Sequence, residues 1–253
     1  MPEDKENIKD KIKDLYKMDT KNEEDIGKQL HEINKFFLKN YKLNIDDTEI
    51  IPIETEIYYG IKKENDTEFI FYDGMIHGDP LQKNRFGQIY FHRNKNNRKI
   101  NHSSGGVDIC LSLDEKDLFE GNFPYKNYYL SILLRSILIK KGKEEQFISG
   151  VNTIQEYFYY ETISKIILDL EEKQNIIKED KDKYTHEIHS QKRIQNGERK
   201  ENDKFNNLNS FILGTKNNCY EYLDKSKLKP KTINKIKEER KNKKQIKEGN
   251  YGK

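Results

Sequence analysis

Four polar groups sit inside otherwise apolar, strand-like runs: Glu54 and Glu56 in IETEIYYG, Asp108 in GGVDICLS and Arg135 in ILLRSILI. Residues two apart on a strand point to one face, so Glu54 and Glu56 share a side, and a carboxylate held in a cleft beside an arginine makes a general base. Taken singly, each of these groups reads as a strand-surface charge or a structural salt bridge. Taken together, they point to one site built at the sheet. His77 lies in DGMIHGDP, a turn composition, and is a loop histidine able to reach such a site. His92, in GQIYFHR, shares a face with Tyr90 and Gln88. His186 and His189 in YTHEIHS have the i, i+3 spacing of a ligand pair, but no third ligand accompanies them, so no metal is expected. Cys110 and Cys219 form neither a CxxC nor a Cys/His pattern, which excludes a disulfide framework or a zinc site.

The elements that must position these residues follow from periodicity. Ile8, Ile12 and Leu15, then Ile26, Leu30, Ile33 and Phe37, recur at helical spacing and predict two amphipathic helices over 5–17 and 23–40. From Leu43 onward the pattern changes to β-rich runs at 49–60, 68–74, 87–93, 105–113 and 128–139, a sheet of about five strands. The run 128–139 is apolar on both faces except for Arg135, as a central strand would be, and a buried arginine there needs a partner. Helical spacing returns after Gly150 through Ile154, Phe158, Ile163, Ile166, Ile167 and Leu170. Residues 171–207 are mostly charged or Asn without periodicity and read as a surface excursion, with a short apolar element at 211–223. The divisions expected are N-terminal helices over 1–42, an α+β domain over 43–223 and a basic tail over 224–253.

Composition limits the function classes. The 253 residues suit one domain with appendages. Hydrophobic content is low at 33% and mean hydropathy is −1.06, yet 16 Tyr and 12 Phe supply aromatic bulk that a disordered chain would lack. No run approaches about 18 uncharged apolar residues, and the opening MPEDKENIKD is too polar for a secretory signal, so neither membrane insertion nor export is indicated and the cytoplasm is the expected compartment. The net charge of +3 is unevenly spread, because residues 225–253 carry twelve Lys or Arg against three acids. Such a segment suits phosphate contact, and equally a tail that aids solubility.

The ordered blocks from about Ile53 to Ile139 resemble the alkyladenine (3-methyladenine) DNA glycosylases. IETEIYYG looks like that family's ETEAY block, GQIYFH like its glycine-led, Tyr-rich strand, GVDICLS like the strand that follows, and ILLRSI like its LLRA strand. The resemblance implies that Glu56 is the general base that activates a water and that Arg135 positions that water. It places Tyr58 as an aromatic stacking on an extruded base with His77 opposite, and Tyr90 in the same pocket. Asp108 falls where the family has an asparagine screening the base edge, and His92 where it has a second stacking tyrosine. Chemistry agrees with these roles: hydrolysis of an N-glycosidic bond needs an oxygen nucleophile at the anomeric carbon, and a carboxylate both deprotonates water and faces an oxocarbenium-like sugar. The family's wedge, a tyrosine before a glycine, is missing, because GQIYFH runs into RNKNNRKINHSSGG. Arg93, Lys95, Arg98 and Lys99 of that insertion could grip phosphates, or form an ordinary hairpin excursion.

The expected protein is therefore a single-domain α+β enzyme, a curved mixed or antiparallel sheet flanked by helices and similar to the alkyladenine glycosylases. It would act as a monomer on double-stranded DNA, without metal or organic cofactor. No lysine matches the active site, so the product is an abasic site. An acid at Asp108 suits an exocyclic amine of adenine or cytosine, which points to modified bases such as those of phage DNA. Alkylated-purine repair, a binding protein without turnover, and a small-nucleoside hydrolase stay open as alternatives.

Overall fold

The computed structural model describes residues 7–45, 47–73, 76–92, 105–166, 177–179, 189–191 and 209–211. Two helices, α1 (Ile8–Tyr16) and α2 (Glu23–Asn40), open the chain where the apolar spacing places them. Each begins on an asparagine whose side chain accepts a first-turn amide, Asn7 from Asp10 and Asn22 from Asp25, satisfying donors that have no partner inside the helix. The strands are β1 (Tyr41–Ile45), β2 (Thr48–Lys62), β3 (Phe69–Tyr72), β4 (Ile89–Phe91), β5 (Val107–Cys110), β6 (Asn127–Lys141), β7 (Glu144–Ser149), β8 (Ile177–Glu179), β9 (His189–Gln191) and β10 (Asn209–Phe211). A short helix α3 (Glu115–Gly121) precedes β6, and α4 (Val151–Ile166) follows β7.

All these strands join one open sheet with the path β4-β5-β6-β2-β1-β8, and every pairing in it is antiparallel. The class is thus α+β with an antiparallel sheet flanked by helices. The sheet is larger than the five strands that the sequence suggests. Strands β1 and β7 are added at the flanks of predicted runs, and the 171–207 stretch, read as a surface excursion, supplies β8 and β9. A three-residue strand shows no periodicity of its own and borrows its hydrogen bonds from a neighbour, which is why these escaped the pattern. Strand β10 lies against β2 from Glu54 to Glu56, filling the edge of β2 between β1 at its start and β3 at its end.

The centre is the long β2/β6 pair, with β6 flanked by β5, β2 and β7 as a central strand should be. One sheet face packs on α1 and α2. Ile8, Ile12, Leu15, Ile26, Leu30, Ile33 and Phe37 form a single buried cluster with Ile57, Tyr59 and Ile61 of β2 and with Leu130, Ile132 and Leu134 of β6. Tyr16 stacks on Tyr128 with ring centroids 3.7 Å apart. The hydroxyl of Thr55 donates to Asn34 Oδ1 at 2.7 Å, pairing two polar groups that are buried under α2.

The register of β2 and β6 slips twice within four residues. Pro52 pairs with Ile137 and Glu54 with Ser136, so Ile53 is an extra residue on β2; Thr55 then pairs with Leu134, so Arg135 is an extra residue on β6. The two bulges compensate, and beyond them the ladder is in step again. Their effect is on sidedness. The helix-facing residue of β2 is Ile50 before the bulge and Ile57, Tyr59 and Ile61 after it; on β6 it is Leu134 before and Ile137 and Ile139 after, so the parity changes in both strands. Without the bulges, Ile50 and Glu54 would share a face, as would Leu134 and Ser136.

Candidate functional site

The bulges collect Glu54, Glu56, Arg135 and Ser136 on the face turned away from α1 and α2. Arg135 Nη1 donates to Glu56 Oε2 at 2.8 Å, and its Nε lies 3.6 Å from Glu54 Oε1. Ser136 Oγ donates to Glu54 Oε2 at 3.0 Å and lies 3.1 Å from Ser149 Oγ. Glu56 is 1% exposed. Burial by itself would lower the pKa of Arg135, but the carboxylates of Glu56 and Glu54 outweigh it and raise the value, so the guanidinium remains charged between two acids. The partner of the half-buried Arg135 is thus the pair of glutamates whose spacing placed them on one face.

Beside this centre, Tyr58 packs with Ile76, Tyr129 and Leu133, a small apolar cluster apart from the main core. Gly60 makes room for it, since a Cβ there would come within 2.8 Å of Ile76 and Phe69. The loop carrying His77 is anchored by Asp73, buried, whose two oxygens accept the amides of Tyr59 at 2.7 Å and Ile76 at 2.9 Å. His77 is itself exposed, and its ring stands edge-on to His92 with centroids 4.5 Å apart.

A second polar centre lies on the same face. Register lines up Tyr90, Asp108, Leu133 and Glu56 in one row across β4, β5, β6 and β2. Asp108 is fully buried, and both of its oxygens are taken by protein donors. Oδ2 accepts from Gln82 Nε2 at 3.0 Å and from Ser131 Oγ at 2.8 Å, while Oδ1 lies 2.7 Å from His92 Nε2. Burial by itself would lower the His92 pKa, but the Asp108 charge and the hydrogen bond to it together overcome this and hold the imidazole above the ordinary histidine value. Because a carboxylate only accepts, Nε2 carries a proton in this pair. His92 Nδ1 is buried and has no hydrogen-bond partner among the described residues. Cys110, next to this pair, is a free buried thiol; burial, reinforced by the Asp108 charge, pushes its pKa up and keeps it protonated.

Residues outside the expected set complete this second centre. Asp79 accepts the Leu81 amide at 3.0 Å and the Tyr90 hydroxyl at 3.3 Å, and its own amide donates to Gln82 Oε1, an arrangement that caps the 3-10 turn Pro80–Gln82. That turn swings buried Gln82 onto Asp108. From α4, Gln155 accepts the Gly106 amide at 2.7 Å and donates to the His92 carbonyl at 3.0 Å, clamping both ends of the 93–104 insertion. Gly105 permits this approach, since a Cβ there would meet Asn152 and Gln155. The signal for Gln82 was present in the sequence as a capping box, Asp79 with Gln82 three residues on; Ser131 and Gln155 carry no local signature.

The geometry therefore joins Glu56 to Arg135 and Asp108 to His92, and sets Tyr90 and His77 against His92. It also changes the reading of Asp108, whose carboxylate is filled by neighbours and serves to orient the imidazole. Arg93, Lys95, Arg98 and Lys99 lie outside the described residues, as does His186, while His189 lies in β9 and pairs in register with Phe211 of β10. Among the described residues, no three His, Cys, Asp or Glu side chains converge as metal ligands, and no helix is long and apolar enough to cross a membrane. Comparison of the chain with protein-family models, with curated proteins and with solved structures finds no match in any of the three.

Proposed function

We propose that the protein is a monofunctional DNA glycosylase that extrudes a modified base from the duplex and hydrolyses its N-glycosidic bond. The observation that carries this reading is the buried Glu56 carboxylate held at 2.8 Å by Arg135 on the sheet face turned away from α1 and α2, with Tyr58 beside it. The resemblance of the sequence blocks supplies the substrate class. In this reading Glu56 takes a proton from a water that attacks the anomeric carbon, and its charge faces the positive sugar that develops. Arg135 fixes the carboxylate and helps to place the water. Tyr58 stacks on the extruded base, which must leave the helix before chemistry. The product is an abasic site, the partner is double-stranded DNA, and the enzyme works as a monomer in the cytoplasm. Modified bases of phage DNA are the favoured target, which would make the role one of defence.

The test is base release from duplexes that are unmodified, alkylated or carry phage-type modified bases, scored as alkali-labile sites. Wild-type release that falls by roughly 10²–10⁴-fold in Glu56→Gln supports the reading. No release from any duplex, or release indifferent to Glu56→Gln, overturns it.

A further inference from the structure

Glu54 is a buried carboxylate that the proposed chemistry leaves without a role, yet two strands depart from regular pairing where it meets the arginine. On β6 the bulge turns two consecutive residues, Arg135 and Ser136, to the face of Glu56, where regular alternation would send one of them under the helices. Arg135 gives Nη1 to Glu56 at 2.8 Å, and Ser136 gives its hydroxyl hydrogen to Glu54 at 3.0 Å. That hydroxyl has a single hydrogen, so Ser149 Oγ, 3.1 Å away, is the donor to Ser136 Oγ, and the two serines form a chain that ends on a Glu54 oxygen. Toward Arg135 the contact is of another kind. Nε is buried, has no hydrogen-bond partner among the described residues and lies 3.6 Å from Glu54 Oε1, beyond hydrogen-bond length. Glu54 thus acts on the guanidinium by charge, while its hydrogen bond goes to Ser136. Among the described residues, the ionisable groups around Glu56 and Arg135 are Glu54 and Tyr58, both on β2. Strand β10 pairs with this stretch through Asn209, Ser210 and Phe211, none of which ionises; α4 brings Val151 to the Tyr58 cluster, and Asp108 stands beyond Leu133 in the same row.

We infer that Glu54 is a positioning residue for the hydrolysis: it takes up part of the Arg135 charge, so that Glu56 stays basic enough to accept the proton of the attacking water. This rests on the glycosylase reading above. An arginine beside a carboxylate favours the charged form, by about 1–3 pH units when nothing opposes it. The contact that holds Glu56 in place would therefore weaken it as a base. A second carboxylate opposes this in two ways, by repelling the charge on Glu56 and by sharing the guanidinium, and both favour protonation of Glu56. Glu54 needs no contact with substrate or water for this, because the effect passes through Arg135. The serine chain holds Glu54 in place from the side away from the guanidinium.

The experiment follows the Glu56 side-chain carboxyl by carbon NMR through a pH titration, in wild type, Glu54→Gln and Glu54→Asp, with Glu56→Gln to assign the resonance. Glu54→Gln keeps an oxygen for Ser136 and removes the charge; Glu54→Asp keeps the charge. The expected result is a Glu56 midpoint about 1 pH unit lower in Glu54→Gln, returning toward the wild-type value in Glu54→Asp. On a duplex that the wild type cleaves, kcat/KM rises with pH as Glu56 loses its proton, so this acid limb should move to lower pH in Glu54→Gln. The plateau above it should fall by about three- to tenfold, because the base is weaker. An unmoved or raised midpoint overturns the inference, and so does a lower plateau with an unmoved limb, which a merely structural role would give. Release that depends on Glu56 but is indifferent to Glu54→Gln overturns the inference and leaves the glycosylase reading standing. Wild-type release from no duplex overturns both. If Glu54→Gln does not fold, the wild-type titration decides: a charge-coupled pair gives two steps at the Glu56 carbon, and a single step overturns the inference.

Discussion

The sheet face turned away from α1 and α2 carries two polar centres built on opposite plans. Around Arg135, two buried carboxylates surround one guanidinium, and the positions are set by backbone: compensating bulges in β2 and β6 turn Glu54, Glu56 and Ser136 to one side. Around Asp108, one carboxylate collects an imidazole, an amide and a hydroxyl from three separate elements, without a bulge. The first centre is permanently charged, since an arginine does not titrate in the working range. The second contains a histidine, whose proton Asp108 holds above the ordinary histidine value against the opposing effect of burial. One face thus combines a permanently charged centre with one that holds a titrating group.

The contrast can be broken most severely at the arginine. Arg135→Met leaves Glu54 and Glu56 buried together without their cation, and chemical denaturation should show a loss of about 3–5 kcal/mol. A loss below about 1 kcal/mol would mean that solvent reaches the glutamates and that the centre is not the rigid anchor described. Asp108→Asn strikes the second centre more gently, because the amide can still accept from a neighbour. The expected cost is about 1–3 kcal/mol, with the His92 resonance in an NMR titration moving to lower pH. An unmoved titration would show that Asp108 does not hold the proton.

The pH dependence sharpens the comparison further. Since the folded protein holds the His92 proton more tightly than an unfolded chain, with its value near 6.5, this stabilisation is complete below that pH and is lost as pH rises through the higher folded value. The stability gap between wild type and Asp108→Asn should therefore shrink as pH rises from about 6.5. A gap that widens with pH contradicts the assignment of the shift to this pair. The smallest effect belongs to Ser136→Ala, which removes one hydrogen bond to Glu54 and should cost about 1 kcal/mol, leaving Arg135 to hold the carboxylate. A cost matching that of Arg135→Met would place Ser136, not Arg135, at the base of the anchor.

What the amino-acid sequence determined by itself is whatever depends on neighbours along the chain. Apolar spacing specified α1 and α2, β-rich runs specified the cores of β2 to β6, and the two-residue interval placed Glu54 and Glu56 together. A lone arginine in an apolar run announced a central strand and an acidic partner. Only the tertiary structure decided the rest. The bulges reverse the alternation of two strands at once, which no single-strand pattern can reveal, and they are what bring Ser136 to Glu54. The Asp108–His92 pair depends on the β4/β5 register, and Gln82, Ser131 and Gln155 reach it from 26, 23 and 49 residues away along the chain, Gln155 through the backbone at Gly106. Strands β8, β9 and β10 are too short to show a period; β8 and β10 pair with the edges of β1 and β2, and β9 pairs with β10. Local periodicity carries information over one or two turns; register and edge pairing are contacts between distant segments, fixed by the packing of the whole sheet.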